Sequence, residues 1–451
     1  MAEKHKHSRR TLFALGFGYL IDQGEAQAMS VLIPIIQSMW GVSFTLIGLM
    51  TTLRTIAQTI SAPLWGYAAD RYSRKKVLVI GTGVWGIWTI LVGLTPNFSS
   101  MLVIRAISGL GLGALMPATF SLIADHYPQS QRGRALGAIG FVGSIGTVVG
   151  VISLGFVANP VLWRWGFIGL GIASVLSGAL IWLLVKELPR GSAEPELEDI
   201  ITEQKAGRYT INWPDVFATL RIPTIWAAIA QGVTGTMPWV VLGFYFINWM
   251  VTELGFSNEI TLTDPRGSAP LVFGVIVAGS AFGNFLGGVI GDFAEKVNPK
   301  YGRTAIGQFS VFSGVPLTYI LLTRAHLMSF NELLGLSLII SLLITWPGRG
   351  AKEPMMQAVV APEARSSAYA VVNLIEGGLS AFAGVIAGAL ADRIGFTNAL
   401  LWTIPFPWII CGIFFSAFYF TYPRDAARVR TVMAARRQEM IQNQQNPGRL
   451  V

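Results

Sequence analysis

Long apolar stretches recur along the whole chain and are separated by short polar segments. Only 13% of the 451 residues are charged and 52% are hydrophobic, whereas about 25% of the residues of an ordinary soluble protein are charged. Many of the stretches approach the ~20 residues that an α-helix needs to cross a bilayer. A transmembrane barrel would instead show alternating segments of about ten residues. The sequence therefore predicts an all-α polytopic membrane protein.

Twelve transmembrane helices in two six-helix halves are predicted. The spans, numbered 1 to 12, cover residues 11–37, 45–69, 77–95, 101–124, 134–157, 163–185, 222–250, 267–291, 303–323, 329–358, 366–391 and 398–421. Residues 186–221 are polar and highly charged, which predicts a cytoplasmic linker. The N-terminal half then covers 1–185, the C-terminal half covers 222–421, and 422–451 form a basic cytoplasmic tail.

The basic residues are distributed unevenly between the two sides of the predicted bundle. Most of the 33 Lys and Arg residues lie in segments that share a side with the termini. The opposite side carries Arg164, Arg266, Arg324 and Arg393. The positive-inside rule therefore places both termini in the cytoplasm. Because the basic residues that give the net charge of +9 cluster at the ends of the spans, they indicate insertion in a membrane and not binding of nucleic acid. We expect a monomer in a bacterial inner membrane.

Two seven-residue stretches share the pattern Gly-x-Gly-Ala-x-x-Pro. GLGALMP lies at 111–117 in span 4, and GRGAKEP lies at 348–354 in span 10. Transporters are commonly built from such internal repeats. The match sets span 10 in register with span 4, which predicts that Arg349, Lys352 and Glu353 lie at membrane depth and not in an exit loop.

A charged segment follows span 2 on the predicted cytoplasmic side. Charges at this position can hold the faces of the two halves together in one state and must separate in the other, which predicts a conformational latch. The alternative is that they only set the topology. The predicted latch residues are Gly66, Asp70, Arg71, Arg74, Lys75 and Arg134.

Two motifs resemble those of the major facilitator superfamily. GYAADRYSRKK at 66–76 resembles the family's loop motif between spans 2 and 3, and RAISGLGLG at 105–113 resembles its span 4 motif. The resemblance implies a twelve-helix fold with two related halves, and transport by alternating access.

Two longer stretches look like spinster-type members of that superfamily. They are GLMTTLRTIAQTISAPLWGYAADRYSRKKVLVIGTGVWG at 48–86 and PEARSSAYAVVNLIEGGLSAFAGVIAGALADRIG at 362–395. The likeness implies lysophospholipids or sphingoid phosphates as substrates. The spinster group usually has Asp-Arg in span 1 and Glu in the span 4 motif, where this chain has Asp22-Gln23 and Leu112.

Asp22 and Glu25 are the first candidates for proton coupling. They lie three residues apart on one face of span 1, and a rise of ~1.5 Å per residue from Thr11 places Asp22 near the bilayer centre. Carboxylates at this depth are costly unless they are paired or protonated. Arg54 and Arg105 fall at similar depth, as partners of the carboxylates or as substrate-binding groups. The alternative is a static salt-bridge network.

Spans 10 and 11 carry further candidates. Arg349 and Glu353 lie four residues apart and are expected to pair, which would leave Lys352 as the freer cation. Cations from both halves that face one cavity suit an anionic or zwitterionic substrate head. Glu376 in span 11 is the third proton-coupling candidate. The alternative is that Arg349 and Glu353 only pair with each other and that Lys352 snorkels, with its ammonium group extended towards the cytoplasmic water.

Span 7 contains GTMPWVVLGFYFINW at 235–249, in which Gly235 and Pro238 predict an interruption of the helix. A broken transporter helix can act as a gate, and Trp239 is a candidate for closing the cavity or contacting substrate. Aromatic residues at this depth can equally serve as packing.

The combined features predict a secondary active transporter that is coupled to protons and carries an amphipathic or organic anion, with a lysophospholipid as one candidate. The alternatives are a sugar or drug efflux transporter and a non-transporting sensor of the same fold. We expect no enzymatic activity, cofactor or metal. The expected partners are a small-molecule or lipid-like substrate, protons and membrane lipids.

Overall fold

The computed structural model is helical wherever it has regular structure. It describes residues 2–127, 129–188, 219–260, 268–360 and 365–445. The predicted linker therefore lies outside the described residues except at its two ends.

Each predicted span has a helical counterpart among the described residues. Spans 1 to 6 are Ala2–Trp40, Phe44–Arg71, Arg74–Gly93, Phe98–Leu112 with Leu115–His126, Gln129–Phe156 and Trp163–Leu184. Spans 7 to 12 are Pro223–Thr252, Ala269–Val297, Gly302–Arg324, Phe330–Val359, Arg365–Ser380 with Ala383–Ile394, and Phe396–Thr403 with Pro405–Gln445. The helix of span 12 thus continues into the predicted basic tail.

Nine of the described helices are long and apolar enough to cross a membrane. The remaining predicted spans are 1, 2 and 4, and these carry the intramembrane charges Asp22, Glu25, Arg54 and Arg105. Span 4 is also split, and its first part, Phe98–Leu112, is an apolar helix that is too short to cross a membrane alone. The three spans that depart from a plain apolar composition thus carry the charged candidates of the N-terminal half.

GRGAKEP lies inside the helix of span 10. The chain is α-helical over Phe330–Leu343, π-helical over Pro347–Lys352, and α-helical again over Glu353–Val359. In span 4 the regular helix is interrupted at Gly113 and Ala114, within the matching motif. π-Bulges are frequent at functional sites because they redirect side chains. The irregularities of spans 4 and 10 therefore fall on the same repeat, which fits the register that the sequence match predicts.

The glycines of this repeat lie where helices cross. A Cβ atom at Gly350 would overlap the backbone of Gly287 in span 8. In the other half, a Cβ atom at Gly113 would overlap Ser61 and Ala62 in span 2. Spans 4 and 10 are therefore crossed in the same way by corresponding helices, which supports the pseudo-symmetry of the halves.

The buried apolar side chains form two clusters. The larger cluster runs through the C-terminal half and includes N-terminal side chains far from the termini, such as Ile36, Ile47 and Phe167. The smaller cluster holds the N-terminal half together near the termini, with Leu15, Leu78 and Leu122 among its members. The two halves therefore share a core on the side away from the termini, whereas the N-terminal half has a separate core on the side of the termini.

Hydrogen bonds between described residues of the two halves lie towards this same shared side. Asp392 at the end of span 11 accepts from the backbone N–H groups of Phe44 and Thr45, both at 2.9 Å, where span 2 begins. The Tyr245 hydroxyl donates to the carbonyl of Phe44 at 2.9 Å, and Asn248 donates to Gln37 at 2.9 Å. The bundle is thus closed between the halves on the side opposite the termini.

Candidate functional site

Glu25 and Arg105 form a buried ion pair in the N-terminal half. Arg105 Nη1 lies 3.2 Å from Glu25 Oε1, and the side chains are 1% and 6% exposed, respectively. The guanidinium also lies over the ring of Phe167, 5.6 Å from its centroid. The structure thus joins spans 1 and 4 through the two candidates and leaves little access to either.

Asp22 and Arg54 are more accessible than this pair. Both side chains are half-buried. Asp22 Oδ2 accepts from Gln23 Nε2 at 3.2 Å, and Arg54 lies within electrostatic range of Asp22. Arg54 Nε has no hydrogen-bond partner among the described residues. In the N-terminal half, these two side chains therefore leave polar atoms available to a ligand or a proton.

The expectation that Lys352 is comparatively free is wrong. Its Nζ donates to Glu376 Oε2 at 2.7 Å, and the two side chains are 13% and 10% exposed, respectively. The other carboxylate oxygen of Glu376 accepts from the hydroxyl of Thr236 in span 7. The i,i+4 rule missed this pair because the partner of Lys352 lies on another helix.

The predicted pair between Arg349 and Glu353 is present, with 2.7 Å between Nη1 and Oε2. Arg349 is nevertheless 64% exposed. It lies within electrostatic range of Tyr19 on span 1. Arg349 is thus the more accessible of the two span 10 cations.

A cavity of about 330 Å³ lies within the C-terminal half. This volume is within the range of small-molecule sites. Its polar and aromatic lining comprises Gln231, Thr236, Trp239, Ser280, Asn284, Thr345, Lys352, Glu376, Trp408 and Cys411. The Lys352–Glu376 pair is therefore part of a cavity wall, unlike the Glu25–Arg105 pair.

Trp239 lines this cavity, but the interruption of span 7 that made it a candidate was wrongly predicted. Span 7 is a continuous helix over Pro223–Thr252 with Pro238 inside it, so no break occurs. The Trp239 ring packs edge-on against Trp408, with 6.1 Å between the ring centroids. Trp408 in turn donates to the carbonyl of Gly235 at 3.3 Å. Span 7 thus continues through the proline and packs against span 12 beside it.

Several cavity residues were missed by sequence reasoning. Gln231 Oε1 and Ser280 Oγ are buried and have no hydrogen-bond partner among the described residues. A Cβ atom at Gly232 would overlap the carboxylate of Glu376, so a glycine is needed for Glu376 to reach its position. The available signal was the dipeptide Gln231-Gly232, which repeats the Gln23-Gly24 of span 1.

The structure describes only part of the predicted latch, since the side chains of Asp70 and Arg134 lie outside the described residues. Arg74 is buried and forms an ion pair with Asp125 at the end of span 4. Its backbone N–H donates to Glu187 at 2.8 Å. Asp125 and Glu187 were not singled out from the sequence; Asp125 belongs to the same half as Arg74, and Glu187 lies at the start of the predicted linker.

The other latch residues lie close to this pair in the sequence. Arg71 is exposed and donates to the Tyr67 hydroxyl at 2.6 Å, and Lys75 lies over the ring of Trp182, 4.9 Å from its centroid. Gly66 lies in the last turns of span 2. The Arg71 contact thus lies within span 2, whereas the Lys75 contact joins spans 3 and 6 of the N-terminal half.

Comparison with known proteins supports the resemblance. The profile of the Major Facilitator Superfamily matches residues 15–360. The chain is 28% identical to protein spinster homolog 3 of Mus musculus over 356 residues, 74% of this chain and 65% of that protein. It is 26% identical to protein spinster of Drosophila melanogaster over 358 residues, 77% of this chain and 56% of that protein. The chain thus spans less than two thirds of the length of either relative.

Among solved structures, the fold is similar to that of a bacterial homologue of the human lysosomal transporter Spinster in an inward-facing and unoccupied conformation. The TM-score is 0.76 at 18% sequence identity, with 93% of this chain and 98% of the other covered. The profile match, which extends over most of the chain, establishes that this protein belongs to the major facilitator superfamily.

Proposed function

We propose that this membrane transporter is a proton-coupled secondary transporter of an amphipathic or organic anion that works by alternating access. Asp22 and Glu376 are the proposed proton-coupling carboxylates, whereas Glu25, the third candidate from the sequence, is proposed to hold spans 1 and 4 together through its buried pair with Arg105. Arg54, Arg349, Lys352, Glu353 and Trp239 are the proposed substrate-binding residues. The likeness to spinster-type members makes a lysophospholipid the first candidate substrate.

The observation that carries this proposal is the Lys352–Glu376 ion pair in the wall of the cavity. Charged groups inside a membrane are costly, and they mark substrate pathways and proton relays. The pair combines a cation that can bind an anion with a carboxylate that can take a proton. Arg54 and Arg349 add accessible cations on the two halves, which favours an anionic substrate.

We further propose that both termini and the linker lie in the cytoplasm and that Asp70, Arg71 and Arg74 belong to a cytoplasmic latch. The excess of Lys and Arg on that side supports the orientation. The closed side, where Asp392 meets span 2, is then the external side. The contacts described above thus fit an inward-facing state of a transport cycle.

Flux into liposomes tests the proposal. The purified protein is reconstituted, a pH gradient is imposed, and transport of a fluorescent lysophosphatidylglycerol is compared with that of an uncharged monoacylglycerol. We expect protein-dependent, anion-selective flux that a protonophore abolishes. Equal flux of both lipids, or anion flux indifferent to the pH gradient, would contradict the proposal.

A small hydroxylated anion, such as a sugar acid, is the second candidate substrate. The cavity offers the amides of Gln231 and Asn284 and the hydroxyl groups of Thr236 and Ser280, which suit a ligand with several hydroxyl groups. Glucuronate is therefore included in the same assay, with glucose as its uncharged counterpart. Flux of glucuronate without flux of the lysolipid would select this candidate.

A further inference from the structure

Glu376 occupies the position beside Lys352 that a bound anion would take. One of its carboxylate oxygens lies 2.7 Å from Lys352 Nζ, and the other accepts from Thr236. Gly232 leaves the space in which the carboxylate lies. Thr236 of span 7 therefore helps to hold the Glu376 carboxylate of span 11 against Lys352 of span 10, so that Glu376 acts as an internal anion.

The cavity next to this pair offers polar atoms that the described residues leave unused. Gln231 is 4% exposed, and its Oε1 has no partner among them. Ser280 Oγ on span 8 is also without a partner there. Buried polar atoms of this kind are costly unless a ligand or water pairs with them. The cavity is thus equipped to bind a polar group beside Lys352.

The charge of the site limits how an anion can enter. With Lys352 and Glu376 both charged, the pair is neutral. A monoanion that binds beside Lys352 would leave a net charge of −1 in a largely desolvated site, where an unpaired charge costs several kcal/mol. A proton on Glu376 restores neutrality and frees Lys352 for the ligand.

We propose that an organic monoanion displaces Glu376 from Lys352 and that one proton binds Glu376 in the same step, so that anion and proton move together in the same direction. The new O–H bond forms on the carboxylate that loses Lys352, and the proton comes from the aqueous side to which the cavity opens. Lys352 keeps its own proton throughout. This inference rests on the proposed function and adds the direction of coupling and the group that carries the proton.

Few other charged groups belong to the elements around Glu376. Span 7 contributes the uncharged Gln231, Gly232 and Thr236, and span 12 contributes the buried thiol of Cys411. Span 2, which packs against span 11 near Thr59 and Gly377, carries Arg54 at membrane depth. Span 10 adds Arg349, which already has Glu353 as a partner. Lys352 is therefore the cation in direct contact with the proposed proton site.

Binding of hexanesulfonate, an amphipathic anion that does not titrate between pH 5.5 and 8, tests the inference. The full chain is placed in phosphatidylcholine nanodiscs, and binding heat and proton uptake are measured over this range. If binding of the anion strengthens binding of one proton, binding of that proton must strengthen binding of the anion to the same extent. We expect the uptake of one proton per anion and a Kd that falls up to tenfold for each unit of decreasing pH.

Two variants and a control separate the outcomes. Glu376→Gln should bind the sulfonate with a Kd independent of pH and without proton uptake, and tighter than wild type at pH 8. Glu253→Gln, which neutralises an exposed carboxylate at the end of span 7, should behave as wild type. The double variant Lys352→Ala/Glu376→Gln, which leaves no unpaired charge, should lose binding at least tenfold relative to Glu376→Gln.

The results distinguish failure of the exchange at Glu376 from failure of the proposed function. Sulfonate binding to wild type without proton uptake, or unchanged pH dependence in Glu376→Gln, would overturn the exchange at Glu376. The transport assay with lysolipid and glucuronate could still support the proposed function in that case. If wild type binds no sulfonate at any pH and transports no anion, both the substrate class and the exchange are overturned.

Discussion

The contact between Asp392 and the start of span 2 should hold the closed side of the bundle shut. The carboxylate accepts from two backbone N–H groups and from the Thr45 hydroxyl, the last at 2.6 Å. Phe44 and Thr45 are in the first turn of span 2, where N–H groups have no partner within the helix. Asp392 thus caps a helix of the other half, and this cap must break when the bundle opens on that side.

The effect of Asp392→Asn follows from these contacts. An amide that keeps its oxygen at the N–H and O–H groups of Thr45 places a donor opposite the N–H group of Phe44. Loss of the negative charge at an exposed helix N-terminus costs about 0.3–1 kcal/mol, and loss of one hydrogen bond costs about 0.5–1.5 kcal/mol. Because Asp392 is exposed, solvent screening lowers the total to about 1–2 kcal/mol. The ratio of open to closed molecules should therefore rise about 5- to 30-fold.

Distances between spin labels on the two halves can measure this ratio. Met39 at the end of span 1 and Leu327 after span 9 lie on the closed side and are 41% and 65% exposed, respectively. With both replaced by labelled cysteines in a Cys411→Ser background, the parent should show mainly a short distance. Asp392→Asn should add a population at longer distance.

Arg393→Gln is the matched control, since Arg393 is the next residue and is also exposed, but makes no described hydrogen bond or ion pair. Its distance distribution should equal that of the parent. Tyr245→Phe removes the hydroxyl that donates to Phe44 and should shift the distribution in the same direction as Asp392→Asn. If Asp392→Asn folds normally and leaves the distribution unchanged, the cap does not hold the closed side.

Three further predictions concern charges in the N-terminal half. Arg105→Ala leaves Glu25 buried without its partner and should lower the free energy of unfolding by about 3–5 kcal/mol; denaturant unfolding in micelles measures this, and Glu25→Gln added to it should restore part of the loss. Asp22→Asn should abolish uphill transport in liposomes but spare downhill exchange, and unchanged proton stoichiometry would remove Asp22 from the coupling. Arg74→Ala deprives Asp125 of its ion pair and should lower the melting temperature without changing anion affinity; an equal loss of affinity would place Arg74 in the binding site instead.

The helices and the repeat could be predicted because they depend on local composition and on similarity within the chain. The apolar spans follow from the length needed to cross a bilayer. The position of Arg349 inside a helix followed from the match between GRGAKEP and GLGALMP, although hydropathy alone would have ended the helix near Gly348. The pair between Arg349 and Glu353 followed from helical spacing.

The partners that were missed lie on other helices. Glu376 reaches Lys352 from span 11, and Asp125 reaches Arg74 from the end of span 4. Such contacts depend on the rotation of each helix about its axis and on the depth at which helices cross. Spacing along one helix does not determine either quantity. The continuous helix around Pro238 was missed because proline is tolerated inside membrane-spanning helices, as Pro34 and Pro63 also show in this chain.

Two ion pairs at membrane depth, Glu25–Arg105 and Lys352–Glu376, differ in burial and in whether they line the cavity, and this difference supports different roles for them. Glu25 and Arg105 are 6% and 1% exposed and are not in the lining of the cavity, so a ligand cannot replace either partner without unpacking spans 1 and 4. Lys352 and Glu376 line the cavity beside unpartnered polar atoms, so an anion and a proton can replace the contact between them at no net change in charge. A pair of the first kind holds helices together through a transport cycle, whereas a pair of the second kind can be broken and remade once in each cycle. If the proposed exchange is correct, the same chemistry gives a structural pair in one half and an exchangeable pair in the other, because, of these two pairs, only Lys352–Glu376 borders the cavity.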